Sequence, residues 1–128
     1  LLTFSSTYGA QESFFDKGKK FFDKSEYNKS RIFFERDIVF NPRSEKSYLY
    51  LAKIYKNDDN DFAQETNLNN VLLLNPKNDE AIYLMILLKI KQSDYNNAKE
   101  LIDRFTTVCE KFCEKKNEIS EKFEKLTP

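Results

Sequence analysis

Two cysteines, Cys109 and Cys113, come nearest to a reactive site by residue type and spacing. The chain has no histidine, which excludes Ser-His-Asp and Cys-His nucleophilic catalysis. Two thiols without histidine do not complete a four-ligand zinc site within one chain, so no metal is predicted. A thioredoxin-like redox centre carries Cys-x-x-Cys near a βαβ unit, and neither feature is present. The two main interpretations are a structural disulfide and two reduced, half-buried thiols beside Phe112; a thiol-based redox or metal role is a third, less favoured alternative.

A disulfide would change the backbone around the two cysteines. Residues four apart in an unbroken helix lie ~5–6 Å apart between Cβ atoms, whereas a disulfide brings Cβ atoms to about 3.8 Å. A bond therefore predicts a helix that breaks or tightens between Thr106 and Lys111. We favour the disulfide, provided that the protein is exported to an oxidising compartment. We expect it to staple the C-terminal helix to the helices before it.

The compartment depends on the first ten residues, which are apolar and small and are followed by a charged sequence. Such a segment is typical of the tail of a secretory signal peptide. A cut after Gly9 places Thr7 at the upstream small-residue position. Residues 1–10 are thus predicted to be a signal remnant, and the protein to be periplasmic or otherwise exported. The alternative is a disordered N-terminus, or one that packs Leu2 and Phe4 on the first helix, in a cytoplasmic protein.

Composition narrows the class of protein. The 128 residues include 21 Lys+Arg and 21 Asp+Glu, so the basic surface of a nucleic-acid-binding protein is missing. Two glycines and three prolines are too few for the turns of a β-sandwich or barrel. No apolar run approaches the ~20 residues that span a bilayer, so membrane contact is expected only through a partner. Nothing places two carboxylates in a shared apolar cleft, so we predict neither an enzyme nor a cofactor or small-molecule substrate.

A repeat organises the chain. The pair Asn41-Pro42 recurs 34 residues later as Asn75-Pro76, and Gly18 aligns with Ala52 at the same period. The aligned units span residues 11–44, 45–78 and 79–112, and each contains two helical patterns. We predict an all-α fold. The expected helices lie near residues 11–23, 27–40, 45–56, 62–74, 79–91 and 95–107.

The repeat resembles the tetratricopeptide repeat family. The resemblance is carried by the 34-residue period, the Asn-Pro pairs, and the motifs Tyr48…Leu51-Ala52…Tyr55 and Asp94-Tyr95…Ala98. It covers about residues 11–112. It implies a right-handed α-solenoid of three antiparallel helix pairs, in which neighbouring pairs stack because no pair buries its apolar face alone.

Residues 113–128 are predicted to form a C-terminal capping helix. Phe112, Lys116, Ile119, Phe123 and Leu126 recur at steps of four and three residues, and Glu and Lys fill the other positions. One apolar stripe on a charged helix suits the end of a solenoid. The alternative is a helix offered to another protein. Membrane binding is less favoured because the polar face carries both charge signs.

The resemblance implies partner binding on the concave surface formed by the first helix of each pair. We predict a groove there from the apolar residues left after the core stripe is assigned, with lysines beside them. Lys19, Lys53 and Lys56 lie on the same face and are expected to hold an acidic flank of the partner. An alternative is that the capping helix or the chain's own ends cover the groove. The predicted groove residues are Phe15, Lys19, Phe22, Leu49, Tyr50, Lys53, Tyr83, Leu84, Leu87 and Ile90.

One subset of the family holds the C-terminal carboxylate of heat-shock chaperones with Lys, Asn and Arg. The corresponding positions here hold Phe15, Lys19, Tyr50, Glu80 and Leu84. That polar clamp is absent, which disfavours chaperone-tail binding. An amphipathic helix or apolar peptide suits these residues better.

Together these features predict a non-catalytic scaffold that binds a protein or peptide partner in an apolar groove, in a cell-envelope assembly. The alternative is a structural subunit whose apolar surface is permanently buried in a homo- or hetero-oligomeric complex.

Overall fold

The computed structural model describes residues 11–126. In that range the backbone forms seven α-helices, one short 3₁₀ turn and no strand, which confirms the predicted all-α class. The first helix begins at Phe14 rather than at residue 11, because Ser13 caps it and accepts a hydrogen bond from the Asp16 N–H at 3.0 Å. The elements are α1 (Phe14–Asp23), α2 (Tyr27–Phe40), α3 (Glu45–Asn57), α4 (Asp61–Leu74), α5 (Asp79–Lys91), α6 (Tyr95–Val108), the 3₁₀ turn (Cys113–Lys115) and α7 (Lys116–Leu126).

Short polar side chains fix where several helices begin. Asn60, Asn78 and Asp94 each accept a hydrogen bond from a backbone N–H in the first turn of the helix that follows. The distance is 3.1 Å for Asn60 and 2.9 Å for Asn78. Pro42 and Pro76 follow the ends of α2 and α4, where a residue without an N–H stops the helix. The repeat is thus bounded by residues with a local structural role.

The turn inside each helix pair repeats in its backbone conformation as well as in its position. Ser25, Asp59 and Ser93 adopt positive φ angles of 59°, 53° and 59°. These three positions are 34 residues apart, like the Asn-Pro pairs. A left-handed conformation costs about 1–2 kcal/mol for a residue with a side chain, so all three turns accept the same local strain. The period seen in the sequence is therefore also a period in backbone geometry.

Consecutive helices are packing neighbours throughout the described chain. Helix α2 contacts α1 and α3, α4 contacts α3 and α5, and α6 contacts α5 and α7. Helix α7 also contacts α5, so it closes the C-terminal end of the stack. Polar side chains join successive pairs as well: Glu45 Oε1 accepts from the amides of Asn75 at 2.8 Å and Asn78 at 2.7 Å. None of the described helices is long and apolar enough to cross a bilayer.

The core runs along the stack in three clusters of buried side chains. The first is centred on Phe34 between α1, α2 and α3, where the Ser30 hydroxyl donates to the Gly18 carbonyl at 2.7 Å. The second joins α3, α4 and α5, and the third joins α5, α6 and α7. Representative members are Leu51 and Ile54 in the first, Ala52, Leu68, Val71 and Met85 in the second, and Ile82, Ile86, Phe105 and Ile119 in the third.

Candidate partner-binding surface

The first helix of each pair lies beside the next, and together with α7 these helices form one surface, which we call the A-face. Between α3 and α5, Lys53 forms an ion pair with Glu80. Between α5 and α7, the Tyr83 hydroxyl donates to Glu118 Oε1 at 3.2 Å. The A-face is therefore a connected surface made of α1, α3, α5 and α7.

An aromatic cluster covers the α1–α3 end of the A-face. Its centre is Tyr50, whose ring centroid lies 4.8 Å from that of Phe22 and 5.7 Å from that of Phe15, both edge-to-face. The buried Phe34 ring stacks beneath Tyr50 at 5.2 Å. Edge-to-face and offset pairs are favourable beyond the area they bury. Because Phe15, Phe22 and Tyr50 are only half-buried, the cluster keeps partly exposed apolar surface.

Lysines lie above these rings. The Lys53 ammonium is 4.7 Å from the Tyr50 ring centroid and that of Lys19 is 5.7 Å from it, within the range of cation–π attraction. Lys19 also donates to Asp23 at 2.7 Å, and this hydrogen bond raises the pKa of Lys19. Lys19 and Lys53 each have a carboxylate partner within the chain already, so neither supplies an uncompensated charge to a ligand.

The α5–α7 end of the A-face has a different character. The Tyr83 ring lies 6.0 Å from that of Phe112, and the Lys115 ammonium is 5.8 Å from the Tyr83 ring centroid. Burial, followed by the charge and hydrogen bond of Glu118, raises the pKa of the Tyr83 hydroxyl. The C-terminal helix and the turn before it therefore cover the surface beside Tyr83, whereas Leu87, one turn further along α5, stays half-exposed.

Leu87 lines a cavity of about 290 Å³ between α3, α4, α5 and α7. Burial and the charge of Lys122 lower the pKa of Lys56 on its wall, and Glu118 opposes this only in part. The side chain of Gln64 is 4 % exposed and makes no hydrogen bond within residues 11–126. The lining residues are Lys56, Asp59, Gln64, Leu87, Leu88, Lys91 and Lys122.

The cysteine segment lies at the junction of α6 and α7. Helix α6 ends at Val108, inside the interval in which the sequence predicted a break, and the 3₁₀ turn begins at Cys113. The Cα atoms of Cys109 and Cys113 are 5.3 Å apart and their sulfurs are in bonding contact. A Cα separation of 5.3 Å lies within the range that a disulfide spans.

The carboxylate of Asp79, at the start of α5, holds the loop between α6 and the 3₁₀ turn. Asp79 Oδ2 accepts from the backbone N–H groups of Glu110, Lys111 and Phe112 at 2.8, 2.6 and 2.8 Å. Burial alone would raise the pKa of Asp79, but the hydrogen bonds from these N–H groups outweigh it and lower the pKa. Asp79 therefore ties the start of α5 to the loop that leads into α7. Within residues 11–126 no group of three or more Cys, Asp or Glu side chains is arranged to hold a metal ion.

Comparison with solved structures identifies the architecture. The chain is similar to the structure described as the first TPR of Spaghetti (RPAP3) bound to HSP90 peptide SRMEEVD, with a TM-score of 0.78 and 18% sequence identity. The match covers 88% of this chain and 90% of that chain. The fold is that of a tetratricopeptide-like helical repeat. No model of a known protein family matches the sequence, and no curated protein matches it.

Within this tetratricopeptide-like fold, the prediction that three of the residues line the groove is wrong. Leu49, Leu84 and Ile90 are 8, 6 and 4 % exposed and belong to the core. Leu49 and Leu84 pack in the cluster between α3, α4 and α5, while Ile90 packs in the cluster that includes Ile119 of α7. These positions lie outside the core stripe that the apolar periodicity of each single helix predicts. The neighbouring helices nevertheless cover them. The predicted apolar patch is accordingly smaller.

The remaining predicted groove residues lie on the A-face in two groups. One group is the cluster around Tyr50 and the other is Tyr83 and Leu87 near α7, separated by the Lys53–Glu80 ion pair. Sequence reasoning did not identify Gln64 or Lys122 as site residues. One signal was available for Gln64: it is a large polar residue at a position where the other two units have the small residues Ser30 and Ala98. No local signal placed Lys122 opposite Lys56.

Proposed function

We propose that this protein is a non-catalytic scaffold whose A-face holds a peptide or helix of a partner protein. The observation that carries the proposal is the partly exposed aromatic surface of Phe15, Phe22 and Tyr50, on the same face as the half-exposed Leu87. Aromatic and aliphatic anchors that are partly exposed on a rigid scaffold suit a docked amphipathic segment. The similar solved domain is described with a peptide bound to it, which supports a peptide as the class of ligand.

The residues favour an amphipathic helix or apolar peptide over a chaperone C-terminus. Phe15 and Tyr50 stand at positions where the family resemblance implies polar clamp residues, and Glu80 adds a carboxylate that an acidic chain end would meet. Lys53 is already paired with Glu80 and therefore does not replace the clamp. The aromatic cluster instead provides surface that an apolar side chain of a partner can cover.

Replacing Leu87 with aspartate is expected to weaken partner binding by about tenfold or more, because an apolar contact worth ~1.5–3 kcal/mol is replaced by a charge. Photo-crosslinking from position 87 in the native host, followed by mass spectrometry, identifies the partner, and titration with the purified partner gives the Kd. Helicity should be unchanged, since Leu87 is only half-buried.

The matched control is Leu73→Asp, the same substitution at a residue on α4 that is 80 % exposed. Its Kd should stay at the wild-type value. Crosslinks from position 87 only to residues 110–126 of the same chain would contradict the proposal, as would loss of helicity in Leu87→Asp, which would make Leu87 a core residue.

A structural subunit is the second candidate, and a specific observation favours it. Large apolar side chains are exposed on the second helices, away from the A-face. Sedimentation of the wild type across a dilution series distinguishes the two, because a permanently assembled subunit keeps a mass above that of one chain. The exposed side chains are Val39 at 74 %, Phe40 at 76 %, Phe62 at 84 % and Leu73 at 80 %.

We further propose that the protein works in an oxidising compartment, within a cell-envelope assembly, with Cys109 and Cys113 bonded. The apolar segment of residues 1–10 and the bonding contact of the two sulfurs support this. Protein isolated from its native host with immediate alkylation should carry no alkyl group on either cysteine, and two after reduction, by mass spectrometry. Alkylation of both thiols without reduction would contradict it.

A further inference from the structure

Three lysines and one aspartate line the cavity behind Leu87, so its walls carry a net positive charge. Lys91 on its rim pairs with Asp61 at 2.7 Å and lies 3.6 Å from Asp59. Lys56 and Lys122 line the same cavity, and within residues 11–126 neither has a carboxylate at ion-pair distance. The ammonium groups of Lys56 from α3 and Lys122 from α7 thus share a cavity in which neither has an ion pair of its own with the described part of the chain, while Asp59 on the same wall lies 3.6 Å from Lys91.

The Gln64 amide on the cavity wall makes no hydrogen bond to residues 11–126 of the protein. Gln64 is 4 % exposed, and its side chain makes no hydrogen bond within the described part of the chain. At the aligned position of the first unit, Ser30 is satisfied, because its hydroxyl donates to the Gly18 carbonyl. No polar side-chain atom of residues 11–126 is both enclosed and unpaired, so the Gln64 amide reaches the open space of the cavity, where water or a ligand can pair with it. Gln64 therefore offers hydrogen-bonding groups to an occupant of the cavity.

The size and the walls of the cavity define that occupant. About 290 Å³ suits one side chain and excludes a folded segment. Leu87 and Leu88 form an apolar wall, while Lys56, Lys122 and Gln64 can donate hydrogen bonds. A carboxylate is the acceptor that suits such donors, and its charge would reduce the repulsion between the two ammonium groups.

We propose that this cavity is the subsite for an acidic side chain of the bound partner, with the carboxylate between Lys56 and Lys122 beside the Gln64 amide. An apolar neighbour in the partner then covers Leu87. This inference rests on the proposed peptide-binding function and deepens it. The lowered pKa of Lys56 agrees with it, since Lys122 contributes to that shift and a bound carboxylate would reverse it.

The test uses a random dodecapeptide library displayed on phage and selected against the full chain. Selected peptides are synthesised with acetylated and amidated ends, so that no terminal carboxylate is present. We expect an Asp or Glu in the selected sequences, and the amide substitution of that residue should weaken binding to the wild type about tenfold. The same peptide change should have little effect on binding to Lys56→Gln/Lys122→Gln. Lys125→Gln, an exposed lysine of α7 outside the cavity, is the matched control and should keep the acid preference.

The outcomes separate this subsite from the function on which it rests. Suppose that peptides bind in a way that depends on Leu87, but replacing their acidic residue leaves the Kd unchanged. The acidic subsite is then wrong, and the proposed peptide-binding function is retained. If amidated ends abolish binding, the cavity takes a chain end and the proposal is overturned. If no peptide binds through Leu87, the proposed function fails and the subsite with it. Without any peptide, NMR titration should show a higher Lys56 pKa in Lys122→Gln; an unchanged pKa would also overturn the proposal.

Discussion

Replacing Asp79 with asparagine should lower the free energy of unfolding by about 2 kcal/mol, because hydrogen bonds to a charged acceptor each contribute ~1.5–3 kcal/mol. Its carboxylate accepts three backbone N–H groups of the loop before α7. An asparagine carbonyl retains acceptor capacity but loses the charge. Urea unfolding followed by circular dichroism gives the change in stability, and hydrogen exchange of residues 110–126 should become faster. Asp103→Asn, the same substitution at an exposed position of α6, should leave both unchanged.

The loss of stability caused by Asp79→Asn should depend on pH. The pKa of Asp79 is lowered in the folded protein, because the N–H groups of Phe112, Glu110 and Lys111 outweigh the effect of burial. Its stabilisation is therefore fully present above the unfolded pKa of about 3.9 and is lost as the pH falls through the folded value. The stability difference between wild type and Asp79→Asn should be constant near neutral pH and shrink below about pH 4. A difference that does not depend on pH would mean that the carboxylate charge is not what holds the loop.

Gly18→Ala should destabilise the protein by about 2 kcal/mol, although alanine normally stabilises a helix by about 1 kcal/mol relative to glycine. A Cβ at position 18 would lie 2.7 Å from Cε1 of Phe34, whose ring is fully buried and packed against Tyr50 and Phe15. The ring therefore has little room to retreat. Thermal and urea unfolding measure the effect. Because the clash is with the ring, Phe34→Leu should cost less in the Gly18→Ala background than in the wild type. A stabilising Gly18→Ala would show that helix propensity dominates there.

Local features of the sequence were enough to predict the helices. Apolar spacing along α3, from Tyr48 to Tyr55, marks the face that packs, and Pro42 and Pro76 mark where helices have ended. The helix pairs that these features predict are present in the structure. Local signals are reliable for this purpose because each helix contacts mainly the next one along the chain, so sequence neighbours are also spatial neighbours.

Contacts between helices decide which residues line the groove, and the apolar periodicity of a single helix does not predict those contacts. Leu49 and Leu84 lie beside the core stripe of their own helices, and only the position of the neighbouring helices decides that both are buried. Ile90 is covered in the same way by the cluster that α6 and α7 complete. Tyr50 and Phe15, which have the same apolar character, stay half-exposed although their rings meet edge-to-face between α1 and α3.

The sequence by itself determined the all-α class and the helix pairs, because those follow from spacing within about one turn of chain. Only the tertiary structure decided which side chains meet across the stack. It placed Lys122 and Lys56 on the walls of one cavity, placed the Gln64 amide on the same walls, and brought Asp79 to a loop 31 to 33 residues away. Such contacts depend on how α7 docks, and docking is set by packing between elements rather than by any local pattern.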